Sequence, residues 1–112
     1  MCLGVAVAQE PGGPFTPQPE PLRCDGGGFI NIDPMPFDDP ATGTPYLYWG
    51  SAGSPIYVQE LAADRVSFAP GTEARGVLDP NPDAPYEELV EAPWVAEHDG
   101  LYYLYYSGDN VL

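Results

Sequence analysis

Apolar and polar positions along this chain fall into short runs punctuated by turn-forming residues, the rhythm of an all-β fold. Residues 2–8 (CLGVAVA) are apolar and predict a first strand. Residues 9–28 hold five prolines and five glycines and predict a long surface loop. A strand interrupted by proline is predicted over 29–37, then a turn over 38–43 (DDPATG). Strands follow over 45–50 (PYLYWG) and 55–61, with a turn at 51–54 between them. A loop over 62–72 leads to a short strand at 73–78 and a rigid loop at 79–85 (DPNPDAP). The next strand covers 89–97. Asp99-Gly100 is a hairpin signal, and 101–106 (LYYLYY) forms the last strand. Only 57–66 (YVQELAADRV) has helical propensity, and it is ambiguous with a strand.

The last strand is apolar or aromatic on both faces, so both faces are expected to be covered. Blades of a β-propeller pack that way, each sheet lying between two others. Residues 45–51 (PYLYWGS) echo 101–108 (LYYLYYSG), 56 positions later, as successive blades would. Repeated aromatic strands of this kind serve packing more often than ligand binding.

The same pattern locates candidate chemistry. Residues 89–95 (LVEAPWV) set one carboxylate, Glu91, inside an apolar run. Strict alternation puts Leu89, Glu91, Pro93 and Val95 on one face and Val90, Ala92 and Trp94 on the other. Neither face is polar, so Glu91 is expected to be withdrawn from water. An ionised carboxylate there is costly unless paired, and the less costly state holds a proton, as a general acid must. Asp33, in 29–37 (FINIDPMPF), is a second acid among apolar neighbours, 58 positions away. Two carboxylates meeting across a fold is the arrangement that hydrolyses glycosidic bonds.

Composition narrows the classes of partner. With Lys+Arg 3, Asp+Glu 17 and a formal net charge of -14, nucleic acid and anionic membrane surfaces are excluded as expected partners. At 112 residues the chain is at most one small domain. No apolar run approaches the roughly 18 residues of a membrane span. The N-terminus lacks a basic flank and reads as a strand rather than a signal peptide. Prolines and glycines make a quarter of the chain, yet they separate runs rich in Tyr, Trp, Val and Ile, as turns separate strands. Cys2 and Cys24 are the only cysteines. A disulfide would fit the secreted location expected for the protein, and unpaired thiols fit the sequence equally. The single histidine, His98, adjoins the Asp99-Gly100 turn and reads as solvated. No metal-ligand cluster and no cofactor motif is present.

Six stretches, in order, resemble glycoside hydrolase family 43, the five-bladed propellers acting on arabinose- and xylose-containing polysaccharides. They are GVAVAQEPGGPFTP (4–17), INIDP (30–34), TGTPYLYWGS (42–51), IYVQEL (56–61), LVEAPWV (89–95) and GLYYLYYSGD (100–109). The resemblance implies that Glu91 is the general acid and that Asp33 tunes and positions it. It implies hydrolysis with inversion and an oligo- or polysaccharide substrate, namely arabinan, arabinoxylan or xylo-oligosaccharide. Trp49 and Trp94 are candidate sugar-stacking residues. The family's general base is an aspartate upstream of the segment matched here, so Asp25, Asp38 and Asp39 do not take that role. Five blades of roughly 40–45 residues need about 200 residues or more. Residues 1–112 are thus expected to be a fragment of the catalytic domain: the end of blade 1, blade 2 and the start of blade 3. A non-catalytic carbohydrate-binding propeller or an inactive gene fragment is the alternative. The related invertase-type pattern favours an Arg-Asp-Pro segment and a cysteine after the acid, where Ile32 and Ala92 stand here.

Overall fold

The computed structural model describes residues 1–50 and 53–109. Ser51 and Ala52, in the predicted turn over 51–54, lie outside the described residues. All regular elements among the described residues are strands: β1 Ala6–Val7, β2 Thr16–Pro17, β3 Met35–Asp38, β4 Pro45–Trp49, β5 Ile56–Glu60, β6 Arg75–Leu78, β7 Val90–His98 and β8 Leu101–Gly108. They form three antiparallel sheets in chain order: β1-β2, then β3-β4-β5-β6, then β7-β8.

The turns follow from local chemistry. Asp99 and Gly100 both have positive φ, 51° and 79°, the backbone that matches the twist of a two-residue hairpin between β7 and β8. The β3-β4 turn is held by Asp39, whose carboxylate accepts the Ala41 amide at 3.0 Å and the Thr42 hydroxyl at 2.9 Å. Short polar side chains favour such turns because they replace backbone partners.

The N-terminal third departs from expectation. The predicted strand over 2–8 shortens to Ala6–Val7, and the predicted loop over 9–28 contains its partner, Thr16–Pro17. Pro17 is tolerated because this two-stranded pair presents edges, where a missing N–H costs little. Leu3 forms an isolated bridge with Arg23 instead, donating its amide to the Arg23 carbonyl at 2.8 Å. Cys2 and Cys24 flank that bridge and are joined by a disulfide across a sequence separation of 22. Closing a loop of this length restricts the unfolded chain, so Cys24→Ser is expected to cost about 3 kcal/mol, read as a lower midpoint in urea.

The strand predicted from 29 begins only at Met35. Asp33 sits at φ 53° and Pro34 follows, which together end any extended run before it.

One face of the four-stranded sheet builds the core. Leu3, Leu47, Trp49 and Leu61 are buried together, with Leu22, Tyr57 and Phe68 packed around them. Trp49 is 0% exposed, stacks on Tyr57 at 5.8 Å, meets Phe68 at 5.7 Å and carries the Arg23 guanidinium 5.6 Å above its ring. β3, β4 and β5 also pack against β7, and Val58, Val90 and Val95 are buried.

β8 corrects a second expectation. Leu101, Tyr102, Tyr103 and Tyr105 are exposed rather than sandwiched. β7-β8 is a two-stranded sheet that packs through β7, leaving its other face uncovered by the described residues.

Candidate active site

The Asp33 segment is fixed by its predecessors. Asn31 is buried, and its side-chain amide donates to the carbonyls of Met1 at 3.2 Å and Asp25 at 2.5 Å. The Ile32 carbonyl accepts the Gly50 amide at 3.1 Å, tying this segment to the end of β4. Gly50 has φ 129°, and a Cβ there would lie 2.8 Å from the Pro55 carbonyl oxygen, so only glycine fits. Asp33 then takes the left-handed conformation that aspartate tolerates better than most residues. Its side chain is exposed, not sheltered among apolar neighbours as its sequence context suggested.

β7 presents the second segment through a bulge. Glu91 pairs with Ser107 and Trp94 with Tyr105, so Ala92 and Pro93 together oppose the single residue Tyr106. Ala92 has φ 52°, an uncommon state for alanine. The extra residue reverses the alternation. Val90, Pro93 and Val95 are buried, whereas Trp94 is exposed and Glu91 half-buried. Glu91 thus shares a face with Trp94, not with Pro93 and Val95 as strict alternation requires. Bulges re-aim side chains in this way beside active sites. Relieving the strained φ with Ala92→Gly is expected to raise stability by about 0.5–1 kcal/mol, read by thermal denaturation.

The two segments meet. A cavity of about 510 Å³ is lined by Asp33, Pro34, Met35, Pro36, Ala92, Pro93 and Trp94. Glu91 adjoins it through Ala92 rather than lining it. Asp33 is the one charged residue in the lining, so the cavity suits a neutral or cationic ligand. Arg23 pairs with Asp25 at 2.5 Å and Arg65 pairs with Asp38, leaving those cations engaged elsewhere. Among the described residues, no three His, Cys, Asp or Glu side chains are grouped to hold a metal ion.

The two predicted stacking residues part company. Trp94 is 63% exposed and lines the cavity; Trp49 is fully enclosed in the core and offers no face to a sugar. The stacking expectation for Trp49 is therefore corrected: its aromatic neighbours, not a ligand, occupy its faces.

Asp39 and Tyr102 were missed by sequence reasoning. The Tyr102 hydroxyl donates to Asp39 at 2.6 Å, joining residues 63 apart. The run DDPATG over 38–43 signalled the turn, but nothing local signalled the tyrosine.

Sheets that follow one another in chain order, with β7 packed on the four-stranded sheet and two acid-bearing segments at a shared cavity, fit part of a β-propeller of the carbohydrate-active class. Residues 1–111 match the glycosyl hydrolases family 43, and the chain belongs to that family. It is 31% identical to a β-xylosidase of Xylanibacter ruminicola, covering 98% of this chain and 42% of the relative. It is 29% identical to xylosidase/arabinosidase 43A of Humicola insolens, covering 96% of this chain and 43% of the relative. A solved α-L-arabinofuranosidase structure from Clostridium thermocellum superposes with a TM-score of 0.66 at 25% identity, over 97% of this chain and 36% of that one. The chain thus spans less than half the length of these relatives. The fold is a partial five-bladed propeller: the end of blade 1 (β1-β2), blade 2 (β3 to β6) and the start of blade 3 (β7-β8).

Proposed function

We propose that residues 1–112 are the acid-bearing part of an inverting glycoside hydrolase catalytic domain acting on arabinose- or xylose-containing polysaccharides. The observation that carries this reading is the single cavity shared by the Asp33 and Ala92–Trp94 segments. Glu91 delivers a proton to the departing glycosidic oxygen, and a base-activated water attacks the anomeric carbon from the opposite face. Asp33 positions the acid, and Trp94 stacks on a sugar ring. The relatives' names, which pair xylosidase and arabinosidase, support a pentosan substrate. The Cys2–Cys24 disulfide supports a secreted location.

A non-catalytic carbohydrate-binding role is favoured by one observation: Asp33 is the only carboxylate lining the cavity. One pair of assays separates the readings. The protein at its native length is expected to hydrolyse p-nitrophenyl β-D-xylopyranoside or α-L-arabinofuranoside, and the 112-residue chain alone to leave both intact. A native-length protein that binds xylotriose yet hydrolyses neither aryl glycoside fits the binding role instead.

A further inference from the structure

Asp33 lies just before β3 and Glu91 lies on β7, and the β3 region approaches the β7-β8 sheet at two places. At one end, the Asp33–Pro34 entry to β3 and the Ala92–Trp94 bulge of β7 share the cavity. Asp39 lies just past the other end of β3, and Tyr102 pairs with Glu97 near the other end of β7. At about 3.3 Å per residue, these ends lie roughly 17–20 Å from the acids.

Asp39 is held from several sides. It is buried, and its Oδ1 accepts both the Tyr102 hydroxyl at 2.6 Å and the Ala41 amide at 3.0 Å. Its Oδ2 accepts the Thr42 hydroxyl at 2.9 Å. Its own amide donates to the Thr44 carbonyl at 3.0 Å, and its carbonyl accepts the Gly43 amide at 2.7 Å. The Tyr102 ring meets Phe37 of β3 edge-on at 6.2 Å and 86°. Such a contact fixes direction as well as distance.

We propose that Asp39 and Tyr102 form a positioning clamp that sets the separation of the Asp33 and Glu91 segments at the opposite end of β3 and β7. β7 also packs on β4 and β5, so the pin at one end works together with that packing to define the gap at the other.

The clamp has a pH window. The Tyr102 hydroxyl, then the Ala41 amide, hold the Asp39 carboxyl below the ordinary aspartate value of 3.8. A depressed acid contributes stability above its unfolded value and loses it as pH falls through the folded value. Asp39 likewise pushes Tyr102 up from 10.0 to about 12, so the hydroxyl contribution is complete below 10 and is lost on rising through about 12. The other titratable or charged groups facing the pair are Glu97 of β7, Tyr46 and Tyr48 of β4 and Arg75 of β6.

The test uses the chain labelled with 5-fluorotryptophan. It holds two tryptophans, one in the cavity and one in the core. In Tyr102→Phe at pH 7, the Trp94 fluorine resonance is expected to shift or broaden while that of Trp49 stays. Asp39→Ala, which removes the acceptor, should reproduce this. In the wild-type chain, lowering the pH below about 3.8 should move the Trp94 resonance before that of Trp49. Unmoved resonances in both Tyr102→Phe and the acid titration would overturn the clamp, as would both resonances moving together. A second arm rests on the hydrolase reading: in the native-length protein, Tyr102→Phe should lower kcat about tenfold with KM within twofold. Wild-type inactivity there would refute the hydrolase reading alone and leave the fluorine result standing.

Discussion

In the native-length protein, Glu91→Gln is expected to reduce turnover of unactivated xylo- or arabino-oligosaccharides by about 10²–10⁴-fold, the typical worth of a positioned proton donor. Glycosides with a good leaving group, such as 2,4-dinitrophenyl, should lose much less. The reason lies in bond cleavage. A sugar hydroxyl departs as a poor anion and must receive a proton as the bond breaks. A dinitrophenolate is stable without one. Glutamine keeps the shape of the side chain and its place opposite Ser107, so a purely structural role would survive the change. The leaving-group dependence therefore separates an acid from a packing residue. Equal losses for both substrate classes would remove Glu91 from the acid role.

That prediction depends on where β7 aims Glu91, and here sequence and structure differ in an instructive way. The run LVEAPWV is legible as a strand because its apolar residues and flanking turns leave little alternative. Its facing is not, because one inserted residue inverts every position after it. The bulge is marked only by Ala92 at φ 52°, a state that favours glycine and that alanine does not announce. The hairpin at Asp99-Gly100, by contrast, was legible, since both residues supply the positive φ that the turn needs.

The same distinction holds for the rest of the site. The pairing of 45–49 with 56–60 was recoverable from local punctuation by Pro45, Gly50 and Pro55. The meeting of Asp33 with Trp94 was recoverable only through the family resemblance, because it is a contact between separate blades. The exposure of Asp33 was not recoverable, because nothing in its apolar sequence context announces the positive φ it adopts. The Asp39–Tyr102 contact joins residues 63 apart on separate sheets, which no local signal encodes. β8 itself misled for a different reason. Its aromatic residues satisfy the composition of a sandwiched strand, yet the described residues cover only one side of the β7-β8 sheet.

The two tryptophans give the sharpest contrast between a residue type and its role. Trp49→Ala is expected to cost about 3–5 kcal/mol, the range for removing a buried aromatic side chain. Its ring is enclosed by Tyr57, Phe68 and the Arg23 guanidinium, and these groups cannot all collapse into the void. A loss of that size removes most of the stability of a domain this small. Urea denaturation followed by circular dichroism should show it directly. Trp94→Ala removes a side chain that is 63% exposed, so stability should change by no more than about 0.5 kcal/mol. Its effect should fall on sugar binding instead. Loss of a stacking face of roughly 0.5–1.5 kcal/mol lowers xylotriose affinity up to about tenfold, measured by calorimetric titration of the native-length protein. If Trp94→Ala destabilised the fold while Trp49→Ala spared it and weakened sugar binding, the core and the cavity would have exchanged places. The assignment of Trp49 to packing would then fail along with the assignment of Trp94 to the cavity.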